Sequence, residues 1–479
     1  MFPITLQTKL VYYSAILLFV AMGCAAIFFD MMYLLLLPLA LLVAAVGFLR
    51  LDILFFAAAA LVPLSINLTE TPIGIGMSLP SEPIIFGAML LVLLKFLTDN
   101  SLDRKFLNHP VSWLVYGYVG WMFITTLTSE LPLVSFKYSL ARFTFILVFY
   151  FYASVLFKKI SNIHKFLWAY LAGFMLIIIY TTYNHINFHL TEQAAHFVMS
   201  PFYNDHTAYA AIIALYIPFA ITGLVGYGFS QKYRAWCFLA AALLIIALIL
   251  SYTRAAWVGI AAAFACSLVF IFKIHRNVIL IFSILFLVLL GININQIILS
   301  FETNREQSSD DFGSHLQSIT NVKTDPSNVE RINRWNCALR MFEQRPITGW
   351  GPGTYQFIYG PFQLQKEKTV ISTLSGNRGN AHSEYLGPLS EQGFPGPLLF
   401  IGLSLASVFA ASRVFRKSSL PAARNLAAGI LLGLVTYWVH GFLNNFLDTE
   451  KAAVPFFGFI AAIVSLEVFH RKADTPTIQ

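Results

Sequence analysis

Charged residues are scarce in this chain, and so is cysteine. Only 11% of the 479 residues are Asp, Glu, Lys or Arg, while 58% are hydrophobic. Soluble proteins carry about a quarter charged residues, so this composition excludes an ordinary soluble enzyme. The four cysteines show no metal-type spacing, which argues against a zinc site or a structural disulfide. They are Cys24, Cys237, Cys266 and Cys337.

Long apolar runs take the place of the missing charge, and the mean hydropathy is +0.70. A run that crosses a hydrocarbon core of about 30 Å needs roughly 20 apolar residues. Such runs begin near residues 11, 31, 52, 82, 111, 138, 165, 206, 235, 253, 277, 384, 425 and 451. We therefore predict an all-α polytopic membrane protein with about 14 transmembrane helices.

The distribution of Lys and Arg predicts the orientation, because short cytoplasmic loops retain these cations. With the N-terminus in the cytoplasm, 18 of the 31 cations fall on the inner side and nine fall in one long polar segment. We predict an N-terminal transmembrane bundle over residues 1–300, a periplasmic loop with short helices over 301–383, and C-terminal transmembrane helices with a cytoplasmic tail over 384–479. The net charge of +8 reflects this bias and gives no reason to expect nucleic acid.

The polar segment contains a predicted helix. Residues 327–330 have the spacing of a capping box, and Pro346 ends the pattern. An apolar stripe recurs between them at Ile332, Trp335, Leu339 and Phe342. The arginines that lie mostly off this stripe are Arg331, Arg334 and Arg345. Two interpretations fit this helix equally well. It lies on the membrane or caps the bundle, or it contacts substrate directly.

A histidine closes the polar segment. Residues 380–383 read Asn-Ala-His-Ser, just before the apolar run that begins near residue 384. This spacing places His382 near the first turn of a membrane helix, where the positive end of the helix dipole disfavours imidazolium. A neutral ring suits a general base. A histidine at a membrane boundary is also typical of simple interfacial hydrogen bonding.

Three motifs carry a family resemblance. Residues 382–393, His-Ser-Glu-Tyr-Leu-Gly-Pro-Leu-Ser-Glu-Gln-Gly, resemble the histidine motif of the O-antigen ligase and O-antigen polymerase superfamily. Trp335, Pro346 and the Gly-Trp-Gly of residues 349–351 are similar to the pattern that precedes this histidine. Residues 251–257, Ser-Tyr-Thr-Arg-Ala-Ala-Trp, are similar to the Ser-Arg-Gly-Ala-Trp segment of the family. The three motifs occur in the expected order.

The resemblance implies a metal-independent transferase without a cofactor. Such an enzyme takes a glycan from undecaprenyl diphosphate at the periplasmic face of the bacterial inner membrane and passes it to an acceptor hydroxyl with inversion. His382 would accept the proton of that hydroxyl, and Arg254 would stabilise the departing diphosphate. Arg254 falls at the outer boundary of the membrane, where an anionic ligand would compensate its charge.

The chain departs from the family pattern upstream of this site. A second phosphate-binding arginine is expected there, but residues 196–207 contain none. His196, His206 or Arg142 could replace it. For His206 a helix cap or a proton relay is the alternative, and for Arg142 a buried ion pair or a snorkelling side chain. The further predicted substrate contacts are Arg331, Arg334, Trp350, Tyr355 and Arg378. Trp350 and Tyr355 also fit an aromatic belt at the membrane interface.

These observations favour an O-antigen ligase with a lipid A-core or another glycan as acceptor. A polymerase or a protein O-oligosaccharyltransferase of the same superfamily would share the motifs. A transporter for lipid-linked sugars is the alternative without chemistry. It predicts paired charges near the bilayer midplane and two pseudo-symmetric halves, whereas the notable residues here cluster at the outer side.

Overall fold

Helices make up nearly all of the fold. The computed structural model describes residues 36–68, 77–272, 326–368 and 379–471, with five more between 20 and 28. A short antiparallel hairpin pairs β1 Ile66–Leu68 with β2 Met77–Leu79. The helices are α1 Leu36–Leu49, α2 Leu51–Leu61, α3 Ser81–Thr98, α4 Arg104–Leu107, α5 Pro110–Leu127, α6 Pro132–Leu156, α7 Ile160–Asn187, α8 Glu192–Ala195, α9 His206–Val225, α10 Gln231–Leu250, α11 Arg254–Ile271, α12 Pro326–Gln344, α13 Tyr355–Ile358, α14 Leu386–Gln392, α15 Pro395–Lys417, α16 Pro421–His440 and α17 Glu450–Phe469.

Eight helices within the described ranges are long and apolar enough to cross a membrane, namely α3, α6, α7, α9, α10, α15, α16 and α17. This confirms a mostly helical, multi-pass membrane protein. The total of about 14 spans stays a prediction. The runs that begin near residues 11, 31 and 277 lie wholly or partly outside the described residues, and α2 has only 11 residues.

Local chemistry sets where the spans begin. Asp205 caps α9 by accepting a hydrogen bond from the backbone N–H of Thr207 at 2.9 Å, and Ser230 caps α10 in the same way through Tyr233 at 3.2 Å. The helices α5, α6, α15 and α16 each have proline in the first turn, where its missing N–H leaves no helical hydrogen bond unmade.

The helix α17 lies at the centre, with residues 450–466 all buried. Nearby, α9 packs against α16, and Gly433 permits their close approach. A Cβ at Gly433 would lie 2.3 Å from the carbonyl oxygen of Leu215. The bilayer offers no hydrophobic driving force for helix contact, so membrane helices associate through close packing. Small residues at the contact permit that packing.

Helix ends meet in two layers, which we call the polar end and the basic end. At the polar end α17 begins, and its Glu450 accepts hydrogen bonds from Ser65 at 2.8 Å and Ser81 at 3.4 Å. At the basic end α17 finishes, and Glu467 pairs with both Arg413 and His109. Because the helices alternate in direction, α6, α9, α11 and α15 also begin at the polar end.

The basic end collects the cations that the sequence assigns to the inner side. The helix ends and turns of this layer contain Lys95, Arg104, Lys105, Lys158, Lys159, Lys165, Lys232, Arg234, Arg413, Arg416, Lys417, Arg424 and Arg471. By the rule that cytoplasmic loops retain cations, this layer is predicted to be the cytoplasmic one. The assignment of the polar end to the periplasm stays a prediction.

The expected membrane helix from residue 384 is wrong. The short helix α14 ends at Gln392, Gly393 adopts φ +67°, and α15 begins at Pro395. Glycine is needed at residue 393, because a Cβ would lie 2.0 Å from the carbonyl oxygen of Ile347. His382 therefore precedes a seven-residue helix and does not lie in the first turn of a membrane span.

The predicted helix of the polar segment is confirmed as α12, but its buried face differs from the apolar stripe. Leu339 of that stripe is exposed. The buried positions are Glu330, Asn333, Arg334, Cys337, Ala338 and Met341. Glu330 and Arg334 can be buried because they form an ion pair of 2.9 Å across one helical turn.

Candidate active site

His382 lies in a turn that two contacts hold in place. Its φ is +47°, a conformation uncommon for residues other than glycine. The backbone N–H of His382 donates to Oδ1 of Asn380 at 3.1 Å, and Nε1 of Trp335 donates to the carbonyl oxygen of His382 at 3.5 Å. Such strained backbone persists only where the surroundings impose it, as they commonly do at functional sites.

Glu384 attaches this turn to the C-terminal helices. Its backbone N–H donates to the carbonyl oxygen of Gly441 at 2.8 Å. Its carboxylate accepts hydrogen bonds from the hydroxyl of Tyr437 and from the backbone N–H groups of Phe446 and Leu447, all within 2.9 Å. All three bonds go to Oε1 of the buried carboxylate, which holds the turn two residues after His382.

The imidazole of His382 is held neutral. Burial lowers its pKa to about 4, and the positive charges of Arg331 and Arg334 act in the same direction. Asp205 and Glu330 act against them. The sequence predicted a neutral ring because of a helix dipole, whereas burial and two guanidinium groups are the cause here.

The two arginines differ in their surroundings. Arg334 is only 5% exposed, pairs with Glu330, and places its guanidinium 4.8 Å from the centre of the Tyr359 ring. It also donates to the carbonyl oxygen of Asn380 at 3.4 Å. Arg331 is half-buried, and its charge lowers the pKa of His382. Arg334 thus supports the loop, and Arg331 is the more accessible of the two.

Asp205 and two histidines lie beside this group. Nδ1 of His206 is 3.2 Å from Asp205, and it is also 3.2 Å from Nδ1 of His196. Burial would raise the pKa of Asp205, but hydrogen bonds from His206 and Thr207 outweigh it and lower the pKa below its ordinary value. The cap of α9 is Asp205, so the predicted cap role of His206 is wrong.

Arg254 is the first residue of α11 and begins that helix next to His206. The hydroxyl of Thr253 donates to the carbonyl oxygen of His206 at 3.5 Å, and the hydroxyl of Tyr252 reaches Leu190 at 3.2 Å. The turn between α10 and α11 is therefore attached to the residues between α7 and α9. His382 and Arg254, 128 residues apart in sequence, both lie at the polar end of the bundle.

Arg142 lies deeper in the bundle. Its guanidinium donates to the hydroxyl groups of Tyr118 at 3.2 Å and Tyr138 at 2.7 Å, and the side chain is buried. The direct partners are thus tyrosines rather than the carboxylate of a buried ion pair. The charges of Glu384 and Asp448 act on it from nearby. A contact between Arg142 and substrate stays a prediction.

The Gly-x-Gly pattern docks the loop onto the bundle. Gly349, Gly351 and Gly353 all have positive φ. A Cβ at Gly349 would lie 2.3 Å from the backbone of Glu391, and one at Gly351 would lie 2.0 Å from the hydroxyl oxygen of Ser129. Only glycine lets the turn approach α14 and the start of α6 so closely.

The aromatic residues predicted to stack on sugars form a small core behind this turn. Trp350 donates to the carbonyl oxygen of Met341 at 2.9 Å, and Arg345 covers its ring at 4.1 Å. Tyr355 is 2% exposed and stacks on Tyr359 at 5.1 Å. In this arrangement they support α12. Arg378 lies outside the described residues.

Sequence reasoning missed His440, the last residue of α16. It is buried, and the charges of Asp205, Arg331 and His206 act on its ring. Its position at the polar end of a predicted span was the only signal available. The contacts that bring it towards His382 join segments far apart in the sequence.

The family comparison agrees with this geometry. Residues 239–401 match the family model described as O-antigen ligase, which confirms the resemblance to the O-antigen ligase superfamily. The matched segment contains Arg254, α12 and His382. This family implies a membrane glycosyltransferase-like enzyme of the O-antigen ligase or polymerase type that acts on lipid-linked glycans. No curated protein matches the chain.

Proposed function

We propose that this protein is an O-antigen ligase of the bacterial inner membrane, which transfers a glycan from undecaprenyl diphosphate to a hydroxyl of lipid A-core at the periplasmic face. The observation that carries the proposal is the neutral His382 beside Arg331, inside the segment that matches the O-antigen ligase family. A neutral imidazole and a guanidinium are the two groups that the reaction needs.

His382 acts as the general base. The acceptor oxygen attacks the anomeric carbon, its proton passes to the imidazole, and the bond from that carbon to the diphosphate oxygen breaks. In the empty site the imidazolium is disfavoured, since Arg331 and Arg334 act on the ring. A bound diphosphate brings negative charge next to these arginines. The pKa of His382 then rises, so the base becomes stronger when the donor is in place.

The diphosphate is bound by Arg254 and Arg331. Arg254 begins a helix of 18 residues, and the first turn of a helix favours an anion through its backbone N–H groups. Charge that grows on the departing oxygen is stabilised by such fixed donors. His196 and His206 stand where the family pattern has its second arginine and complete the anion site.

Transfer by purified protein tests the proposal. Liposomes that contain the protein, an undecaprenyl-diphosphate-linked glycan and lipid A-core should form the ligated product. His382→Ala should lower kcat by about 10²–10⁴-fold, the range of a lost general base. The control is His189→Asn, an exposed histidine of the polar end with positive φ, which should retain activity. Transfer by His382→Ala at the wild-type rate would exclude the base.

Deletion of the gene separates the ligase from a polymerase. Loss of a ligase leaves glycan on the carrier lipid and bare lipid A-core. Loss of a polymerase leaves core capped with a single repeat. Glycan missing from a protein instead would identify a protein O-oligosaccharyltransferase.

A further inference from the structure

His440 is a buried imidazole without a hydrogen bond. It is 1% exposed, and within the described part of the chain neither Nδ1 nor Nε2 has a partner. A neutral imidazole offers one donor and one acceptor. Burying both without partners lowers the stability of the protein relative to an apolar ring, so the group calls for a functional reason.

Two other buried histidines, His185 and His109, are hydrogen-bonded. His185, also 1% exposed and in the last turn of α7, has Nε2 at 2.8 Å from the carbonyl oxygen of Thr191. His109 bonds to Glu467 and to the backbone of Val111. Burial of a histidine at a helix end therefore does not by itself leave the ring unbonded here.

His440 adjoins the turn of His382. The next residue, Gly441, accepts the hydrogen bond from Glu384, which is two residues after His382. The charges of Asp205 and Arg331 act on both imidazoles. The two rings thus share their charged neighbours, and His440 lies on the membrane-helix side of the same site.

We propose that His440 is a binding residue for a sugar hydroxyl next to the reacting centre. The inference rests on the proposed function. A hydroxyl can donate to one ring nitrogen and accept from the other, whereas a phosphate only accepts and would leave one nitrogen unbonded. The charge of Arg331 acts on the ring. In the proposal, Arg331 therefore moves towards the bound diphosphate, which exposes the ring to the glycan.

The test is His440→Phe, which keeps the ring and removes both nitrogens. The thermal stability of the ligand-free protein should be unchanged or higher, while kcat/KM for transfer falls about tenfold, as expected for a lost hydrogen bond. A higher KM for the lipid-linked donor would assign the hydroxyl to the donor glycan. A higher KM for lipid A-core would assign it to the acceptor. His440→Gln, which restores a donor and an acceptor, should recover part of the loss.

The matched control is His185→Phe, which breaks a bond that exists in the ligand-free protein. It should lower thermal stability and leave the kinetic constants of the folded protein unchanged. If His440→Phe behaves like this control, or transfers with wild-type constants, the inference is overturned. Absence of transfer by the wild-type protein would overturn the proposed function itself, so the two failures are distinguishable.

Discussion

In the proposed reaction, the imidazole of His382 meets two opposing requirements. It must be neutral before the reaction, which burial and the guanidinium groups of Arg331 and Arg334 ensure. It must also take a proton during the reaction, which the same cations oppose. Asp205 and Glu330 offset part of this charge, and the donor diphosphate is proposed to offset the rest. In the proposed reaction, a substrate that brings negative charge therefore favours proton transfer to His382.

The pH dependence of transfer should report this arrangement. The pKa of His382 is lowered to about 4, so the neutral base persists well below the ordinary histidine value of about 6.5. The acid limb of kcat/KM, which reflects the unliganded enzyme, should lie near pH 4, and activity falls as the pH drops through it. The acid limb of kcat should lie at higher pH, because bound diphosphate raises the pKa. Coincident limbs near pH 6.5 would contradict the proposed environment.

Arg331 and Arg334 should respond differently to substitution by glutamine. Arg331→Gln should raise the KM for the donor and move the acid limb of kcat/KM upwards, with little change in thermal stability. Arg334→Gln breaks the buried ion pair with Glu330, which costs about 3–5 kcal/mol of folding free energy, so thermal stability should fall. Kinetics and thermal denaturation of both variants measure this. The reverse pattern would mean that Arg331 supports the fold and Arg334 contacts the donor.

At this scale, the residues in recognisable motifs could be predicted and those joined by distant contacts could not. His382 and Arg254 stand in short patterns. Glu384 holds the turn of His382 by bonds to residues more than 50 positions away, and nothing in its own neighbourhood indicates this. The sequence placed Asp205 only beside His206, whereas its charge also acts on the rings of His382 and His440.

Among the elements, the glycine turn at residues 349–353 fixes the loop to the bundle. Its backbone donates from Trp350 to Ser390 at 3.1 Å and from Gly351 to Glu391 at 2.7 Å. The Glu391 carboxylate in turn accepts from Tyr355 at 3.0 Å, and burial raises its pKa to about 7. The turn, α14 and the start of α13 thus form one unit that carries α12.

Gly351→Ala should undock this unit. The new Cβ would lie 2.0 Å from the hydroxyl oxygen of Ser129, and φ is +110°. Backbone strain alone costs about 1–3 kcal/mol, so thermal stability and transfer should both fall. The control is Gly120→Ala in α5, where no atom lies within 4 Å of the new Cβ and the change should be neutral or stabilising. Wild-type stability of Gly351→Ala would refute the docking role.

The helices themselves were partly predictable. Hydropathy found the start of α9 at residue 206 and of α3 within one residue, because Asp205 caps α9 and Pro80 precedes α3 at the edges of the apolar runs. It failed at α14, where Gly393 and Pro395 end a short helix inside the stretch that was predicted to start a span. The buried face of α12 was missed because an internal ion pair lets charged residues turn inwards.

For the whole molecule, the orientation is the prediction that matters most. In a variant without the four native cysteines, His189→Cys lies at the polar end and Lys232→Cys at the basic end, both at exposed positions. A membrane-impermeant maleimide should label residue 189 in intact cells and residue 232 only after permeabilisation. The opposite pattern would place His382 in the cytoplasm and exclude a periplasmic reaction.

The Glu384 carboxylate, which holds the turn of His382, has a consequence for protein engineering. It reaches Phe446 and Leu447, and the glycine turn reaches Ser129, so both anchors lie beyond the family segment of residues 239–401. The matched segment depends on contacts with residues outside it, so it is not a module that can be exchanged on its own. Hybrids that exchange it alone between relatives would carry over Arg254 and His382 but lose both anchors, so a hybrid should retain Ser129, Phe446 and Leu447 as well.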